Sequence, residues 1–209
     1  MQDLFIAIAG NIGAGKSTLT GLLADYFDWQ PFYEANAENP YLEDFYRDME
    51  RWSFHSQIFF LSKRLEHHRQ LVDYPGSVVQ DRTVYEDAEI FACNLYRQGD
   101  MSERDYDTYR RLYHAVCKFL PPPHLIIYLK SSVDTLMARI LQRGRDFEQD
   151  IKREYIAALN DLYNNWIDNW TLCPVLTIDM DSLDFVQRED DLQRIIDQIE
   201  ALLPQEIGR

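Results

Sequence analysis

The chain has 209 residues, a length that fits one domain at the usual ~100–200 residues each. Its 21 Lys and Arg against 35 Asp and Glu leave a formal charge of −14. That is the wrong sign for polymeric nucleic acid, which binds chiefly by phosphate neutralisation, so no DNA or RNA partner is expected. With 46% hydrophobic and 27% charged residues the chain is neither disordered nor fibrous.

The three cysteines (Cys93, Cys117 and Cys173) are odd in number, widely spaced and without a C-x-x-C pair. This excludes a disulfide framework and a zinc site as readings, and it fits a reducing compartment. The segment Met1 to Ala9 lacks the basic start of a secretory signal, and no apolar run approaches the ~20 residues of a membrane span. The expectation is a cytoplasmic protein with no membrane partner.

Leu4 to Ala9 (L-F-I-A-I-A) is a short apolar run ending in a glycine-rich loop, the pattern of a buried parallel strand. Apolar residues at helical spacing follow over Gly15 to Phe27, then a second short strand over Pro31 to Glu34. Asn39-Pro40 marks a helix start, Tyr41 to Arg47 is rich in aromatics, and Trp52 to Val72 reads as a long helix ended by Tyr74-Pro75-Gly76. Ser77 to Arg82 is a third strand ending in charge. Helical patterns run over Val84 to Tyr96 and Glu103 to Phe119, stopped by Pro121-Pro122-Pro123. His124 to Leu129 is a fourth strand, followed by helix Val133 to Gln142 and a charged, glycine-broken segment over 143–150. Helix Ile151 to Trp170, strand Pro174 to Ile178 and a final helix over Glu189 to Leu203 complete the chain. Strands alternating with helices predict one three-layer α/β domain over 1–209, with about five parallel strands flanked by helices.

Gly10-Asn11-Ile12-Gly13-Ala14-Gly15-Lys16-Ser17 fits G-x-x-x-x-G-K-[ST], between a predicted strand and a predicted helix. Glycines there let backbone N–H groups approach phosphate oxygens, and the helix start that includes Thr18 adds positive dipole. Lys16 is placed to reach the β/γ-phosphates and Ser17 to ligate Mg²⁺. The motif implies ATP-type nucleotide binding.

Three further clusters narrow the reaction. Glu34 ends the second strand, beside that loop in a doubly wound sheet, where a carboxylate can take a proton from an attacking hydroxyl. Asp81-Arg82-Thr83 ends the third strand: Asp81 can hold Mg²⁺ and Arg82 can neutralise Glu34 and the incoming oxygen. Arg139, Arg143 and Arg145, ahead of Glu148, form a local positive site able to close over a triphosphate. Each cluster alone also has a bland reading, respectively a surface acid, an ion pair capping a helix and a solvated helix end.

The sequence resembles the deoxynucleoside kinase family, in particular its bacterial deoxyadenosine/deoxyguanosine kinase-like branch. The resemblance runs from about Ile6 to Phe185. It rests on G-N-I-G-A-G-K-S, Y-E-A-N with N-P-Y-L-E-D-F-Y, E-R-W-S-F-H-S-Q, D-R-T-V-Y-E-D-A-E-I-F-A and R-I-L-Q-R-G-R-D-F-E. It implies a P-loop kinase fold, ATP with Mg²⁺, a homodimer through the long helices, and transfer to a deoxynucleoside 5′-hydroxyl. It further implies that Glu34 is the base, that Arg82 holds that base and the 5′-oxygen, and that Asp81 joins Ser17 at Mg²⁺. Arg143 and Arg145 match lid arginines over about 143–150, with Arg139 just before them. Tyr46 and Glu148 match the pair on the sugar 3′-hydroxyl, and Gln57, Arg64 and Asp87 the base-reading set. Phe91 matches a ring on the base, and Asp184-Phe185 a loop over the donor's base.

Two departures stand out. Thr83 replaces a commoner Ser, and Asp81 replaces a longer Glu, which calls for a bridging water to Mg²⁺. Ser56, smaller than the aromatic residue of some members, is expected to widen the pocket for a purine. An arginine-carboxylate pair of Arg64 and Asp87, with the Gln57 amide, suits bases that carry an exocyclic amine and disfavours thymine. Tyr41, Phe45, Trp52, Phe54, Phe59 and Phe60 are expected in the core, with Trp52 a further ligand candidate. His67 and His68 are expected in solvent, and Cys93 and Cys117 buried. A nucleoside monophosphate kinase would share the P-loop and lid, but Glu34 would repel a phosphate acceptor. A nucleotide switch is disfavoured by the lack of N-K-x-D.

Overall fold

The computed structural model describes residues 3–34, 38–145, 148 and 151–203. Parts of two expected features, Ala35-Asn36 of the Y-E-A-N motif and 146–147 and 149–150 of the lid, lie outside the described residues.

Five strands form one parallel sheet among the described residues: β1 (Phe5–Ala9), β2 (Gln30–Phe32), β3 (Val78–Asp81), β4 (Leu125–Lys130) and β5 (Val175–Asp179), in the order β2-β3-β1-β4-β5. The central strand β1 is fully buried, as an apolar strand covered on both faces must be. Its register against β3 sets Ile8 beside Asp81, and against β4 sets Ala9 beside Tyr128. The carboxyl ends of β1 and β3, with the chain just after β2, therefore meet at one edge, where the strand order switches direction and ligands bind in such sheets.

The helices are α1 (Lys16–Phe27), α2 (Leu42–Arg47), α3 (Met49–Asp73), α4 (Val84–Glu86), α5 (Cys93–Gln98), α6 (Glu103–Cys117), α7 (Val133–Arg143), α8 (Arg153–Asp168) and α9 (Glu189–Leu202). The single helix expected over Val84 to Tyr96 is instead α4, a π-helical stretch over Asp87–Ala92, and α5. Wide π turns of this kind are frequent at functional sites, and this one begins at Asp87 and contains Phe91.

One apolar cluster surrounds the sheet, and a second lies among α2, α3, the π stretch and α6. Three expectations fail here. His68 is buried at 6% exposure, edge-on to Phe5 with ring centres 5.8 Å apart, because it lies on the inward face of α3. Burial lowers its imidazole's pKa. Cys93 and Cys117 are half-buried rather than fully so. Ser56 is fully buried and accepts a hydrogen bond from Asn39 Nδ2 at 3.0 Å, so it fastens the loop before α2 and does not widen a pocket.

Candidate active site

The loop after β1 wraps a cradle closed by the start of α1. Gly13 has φ 84°, and a Cβ there would sit 2.9 Å from Leu136 O, so no side chain fits without displacing α7. Gly15, at φ 97°, caps α1 with no side-chain bond, which leaves the first N–H groups of the helix open to an anion. Asn11 is buried. Its Nδ2 reaches Ile156 O at 3.0 Å and Asn160 Oδ1 at 3.1 Å, fixing the loop to α8. Lys16 is 7% exposed and folds back to donate to Asn11 O at 3.1 Å. Burial, with Arg82 nearby, lowers its ammonium pKa to about 8.

Ser17 Oγ donates to Asp81 Oδ2 at 2.5 Å. The other oxygen, Asp81 Oδ1, is buried and makes no hydrogen bond among the described residues. A buried carboxylate oxygen, a serine hydroxyl and adjacent phosphate positions are all hard oxygen donors, the set that suits Mg²⁺.

Arg82 follows directly with φ 65°, a left-handed backbone that a non-glycine residue holds only when its surroundings enforce it. The twist sends neighbouring side chains to different partners: Asp81 to Ser17, Arg82 to Glu34, and Thr83 to the cap of α4. Arg82 Nε lies 2.7 Å from Glu34 Oε1 as an ion pair, although its N–H is too misaligned for a hydrogen bond. Its guanidinium carbon lies 4.3 Å above the centre of the Phe91 ring. Glu34 also accepts from Arg64 Nη2 at 3.1 Å, so two buried guanidiniums flank one carboxylate.

A cavity opens in front of these groups, lined by Lys16, Ser17, Glu34, Tyr46, Gln57, Arg82, Asp87, Phe91, Arg143, Arg145 and Glu148. Gln57 is 4% exposed, and its Oε1 makes no hydrogen bond among the described residues. Burial raises the Tyr46 phenol's pKa, and Tyr155, Glu148 and Glu34 push it the same way, which marks these groups as neighbours. Arg143 Nη2 and Nε approach Glu148 Oε2 at 2.6 and 3.1 Å, and Arg145 Nη1 lies 3.5 Å from Oε1.

A second cavity lies on the other side of the loop, lined by Gly13, Gly15, Thr18, Arg139, Arg143, Asp184 and Phe185. Arg139 donates to Ala14 O and Met180 O, both at 3.2 Å, and so ties the loop to the end of β5. Phe185 is buried against Gly15, while Asp184 Oδ1 accepts from the amides of Val186 and Gln187.

The structure thus brings most of the expected residues to two adjoining cavities. Among the residues expected on the substrate side, Arg64 is the exception. It is 3% exposed and lines neither cavity. Its donors go to Asp87 Oδ2 (3.1 Å), Asp87 Oδ1 (3.5 Å), Asp81 O (3.0 Å), Arg82 O (2.9 Å) and Glu34 Oε1 (3.1 Å). A guanidinium has five N–H groups, so none remains for a base. Arg64 aims Asp87 and steadies Glu34 from behind.

Trp52 also lies away from the cavity, against Tyr41, whereas Phe45 and Phe60, expected only in the core, line it. The same holds for Tyr155, which carried no expectation beyond its helix.

A profile of the family described as deoxynucleoside kinase matches residues 6–204. The chain belongs to the deoxynucleoside kinase family. It is 40% identical to the deoxyadenosine/deoxycytidine kinase of Bacillus subtilis over 204 residues, covering 97% of this chain and 94% of that one. To the deoxyguanosine kinase of the same organism it is 36% identical, covering 95% and 97%. The solved deoxyadenosine kinase of M. mycoides, described with products dCMP and a flexible dCDP bound, superposes with a TM-score of 0.85 at 32% identity over 95% of this chain and 100% of that one. This kinase, like the family, transfers phosphate from ATP to a deoxynucleoside, and its fold is the P-loop kinase fold expected from the sequence.

Proposed function

We propose that the chain transfers the γ-phosphoryl group of ATP, with Mg²⁺, to the 5′-hydroxyl of a purine deoxynucleoside, deoxyadenosine ahead of deoxyguanosine. One observation carries this reading: a single cavity wall holds Lys16 and Ser17 of the phosphate loop together with Glu34 and the base-facing Gln57 and Asp87. Glu34 takes the proton of the 5′-hydroxyl, with the guanidiniums of Arg82 and Arg64 beside it to hold it in place. Lys16, Arg82, Arg143 and Arg145 balance charge on the moving phosphoryl group. Ser17 and Asp81 would hold Mg²⁺, which when bound neutralises charge on the β- and γ-phosphates.

Tyr46 and Glu148 hold the 3′-hydroxyl, and the Tyr46 ring crowds C2′ against ribonucleosides. Asp87 and the free Gln57 carbonyl offer acceptors to an exocyclic amine, with Phe91 stacking on the base. Adenine has such an amine and thymine has none. The second cavity receives the donor's base beside Asp184 and Phe185. The protein works in the cytoplasm as a homodimer, which light scattering of the purified protein measures directly.

The test supplies Mg·ATP with each of four deoxynucleosides, and separately with deoxyadenosine and thymidine monophosphates, and resolves the products. Monophosphate from deoxyadenosine or deoxyguanosine is expected. Phosphorylation of the monophosphates alone would overturn the assignment of Glu34, and thymidine turned over as fast as deoxyadenosine would overturn the base argument.

A further inference from the structure

Behind the acceptor cavity sits a carboxylate with no exposure at all. Glu86 is 0% exposed, and both its oxygens are occupied. Oε2 accepts from the Thr83 amide at 2.8 Å and from Thr83 Oγ1 at 3.3 Å. Oε1 accepts from the Gly10 amide at 3.3 Å and from Tyr163 OH at 2.9 Å. The same Tyr163 hydroxyl accepts from Arg82 Nη1 at 3.1 Å. Tyr163 is itself fully buried, stacked on Tyr128 at 5.9 Å and edge-on to Phe91 at 6.5 Å.

One hydrogen-bonded chain therefore runs from Arg82 through Tyr163 to Glu86, and from there to the first glycine of the phosphate loop. An isolated buried carboxylate is costly. Burial raises its pKa, and four accepted bonds with the cations of Arg82 and Lys16 work against that rise, the arrangement that makes such a group tolerable. The strained residue Arg82 is the one this chain grips, between its left-handed backbone and the Phe91 ring.

We infer that Glu86 and Tyr163 are positioning residues for phosphoryl transfer: through the Tyr163 hydroxyl they hold Arg82 in register with Glu34, and through Gly10 they tie that register to the phosphate loop. Neither residue lines the cavity, so neither touches substrate. Their action is on the geometry of Arg82 and hence on the reacting oxygen, where a displacement of about 1 Å can cost on the order of 100-fold. Loss of the grip therefore appears in kcat and not in binding. This inference rests on the kinase reading above.

The experiment compares the parent enzyme with Tyr163→Phe, Glu86→Gln and the double variant. It measures kcat with deoxyadenosine and Mg·ATP, and separately the Kd of each ligand by calorimetry, per folded molecule from circular dichroism. Tyr163→Phe keeps the ring and removes only the hydroxyl, and Glu86→Gln keeps the shape and removes the charge, so two independent variants address one grip. Each is expected to lose at least tenfold in kcat with both Kd values within threefold of the parent. The double variant is expected to fall well short of the product of the two losses, because the residues act in one chain. A parent that turns over deoxyadenosine while both single variants keep kcat within twofold overturns the inference, as does a loss confined to Kd or fully multiplicative losses. A parent with no deoxynucleoside turnover overturns the kinase reading instead.

Discussion

Glu34 sits 12% exposed between two guanidiniums, and its reach into the cavity decides what the acceptor can be. Removing its charge while keeping its shape isolates the base function. Glu34→Gln is expected to lower kcat by about 10²–10⁴-fold, the usual contribution of a general base, with Mg·ATP affinity retained in calorimetry. A rate near that of the parent would take Glu34 out of the role. Lys16 supplies a second residue-scale outcome. Burial and Arg82 lower its pKa from 10.5 to about 8, so in the empty enzyme it is charged below that pH and neutral above it. Phosphate binding needs the charged form. kcat/KM for ATP is therefore expected to fall as pH rises through about 8, and a Lys16→Arg variant, always charged, is expected to lose that limb of the profile. The sequence named Glu34 and Lys16 directly, because strand ends and a phosphate loop mark their positions. It did not distinguish Glu86 from the other acids on a predicted helix, where charge reads as solvation. Its contacts with Gly10 and Tyr163, 76 and 77 positions away, show how it is buried.

Elements were legible where periodicity alone decides them. Each of the five strands begins or ends within two residues of its expected bounds, and β1 and β4, apolar runs buried along nearly their whole length, leave the least ambiguity. Faces of helices were harder. On α3, Gln57, Phe60 and Arg64 fall at i, i+3 and i+7 and share the side turned to the site, but the aromatic residues ring the helix. The pattern therefore could not tell that Phe60 lines the cavity and Trp52 does not. The π stretch at Asp87–Ala92 has no sequence signature of its own, and it follows from packing against α3 and α8. The phosphate loop gives an element-scale prediction. Gly13→Ala must hold a left-handed φ of 84°, costing about 1–2 kcal/mol, and must also push back Leu136 O from 2.9 Å. Thermal unfolding is expected to drop by several degrees, and Mg·ATP affinity to fall, because the loop can relieve the clash only by moving off α7.

At the scale of the whole molecule the two cavities lie on opposite sides of one loop, and the walls they share include Gly13 and Arg143. The sheet explains this: β1 delivers the loop, β3 and the end of β2 build the proposed acceptor side, and β5 with the turn after it builds the proposed donor side. Two ligands can then bind at once, each stabilising the native state by its own mass action. At 100 times Kd each contributes about 2.7 kcal/mol, which for a chain of this size raises Tm by about 5–10 °C. ADP with Mg²⁺ and deoxyadenosine, added separately and then together, are expected to give shifts that nearly sum, measured by differential scanning calorimetry. A combined shift no greater than the larger single one would mean that the ligands compete for one cavity. The division into acceptor and donor sides would then be wrong, whatever the reaction. A combined shift exceeding the sum would place the extra coupling on the shared wall. Arg143, now 2.6 Å from Glu148, is the group there able to respond to a sugar on one side and a phosphate on the other.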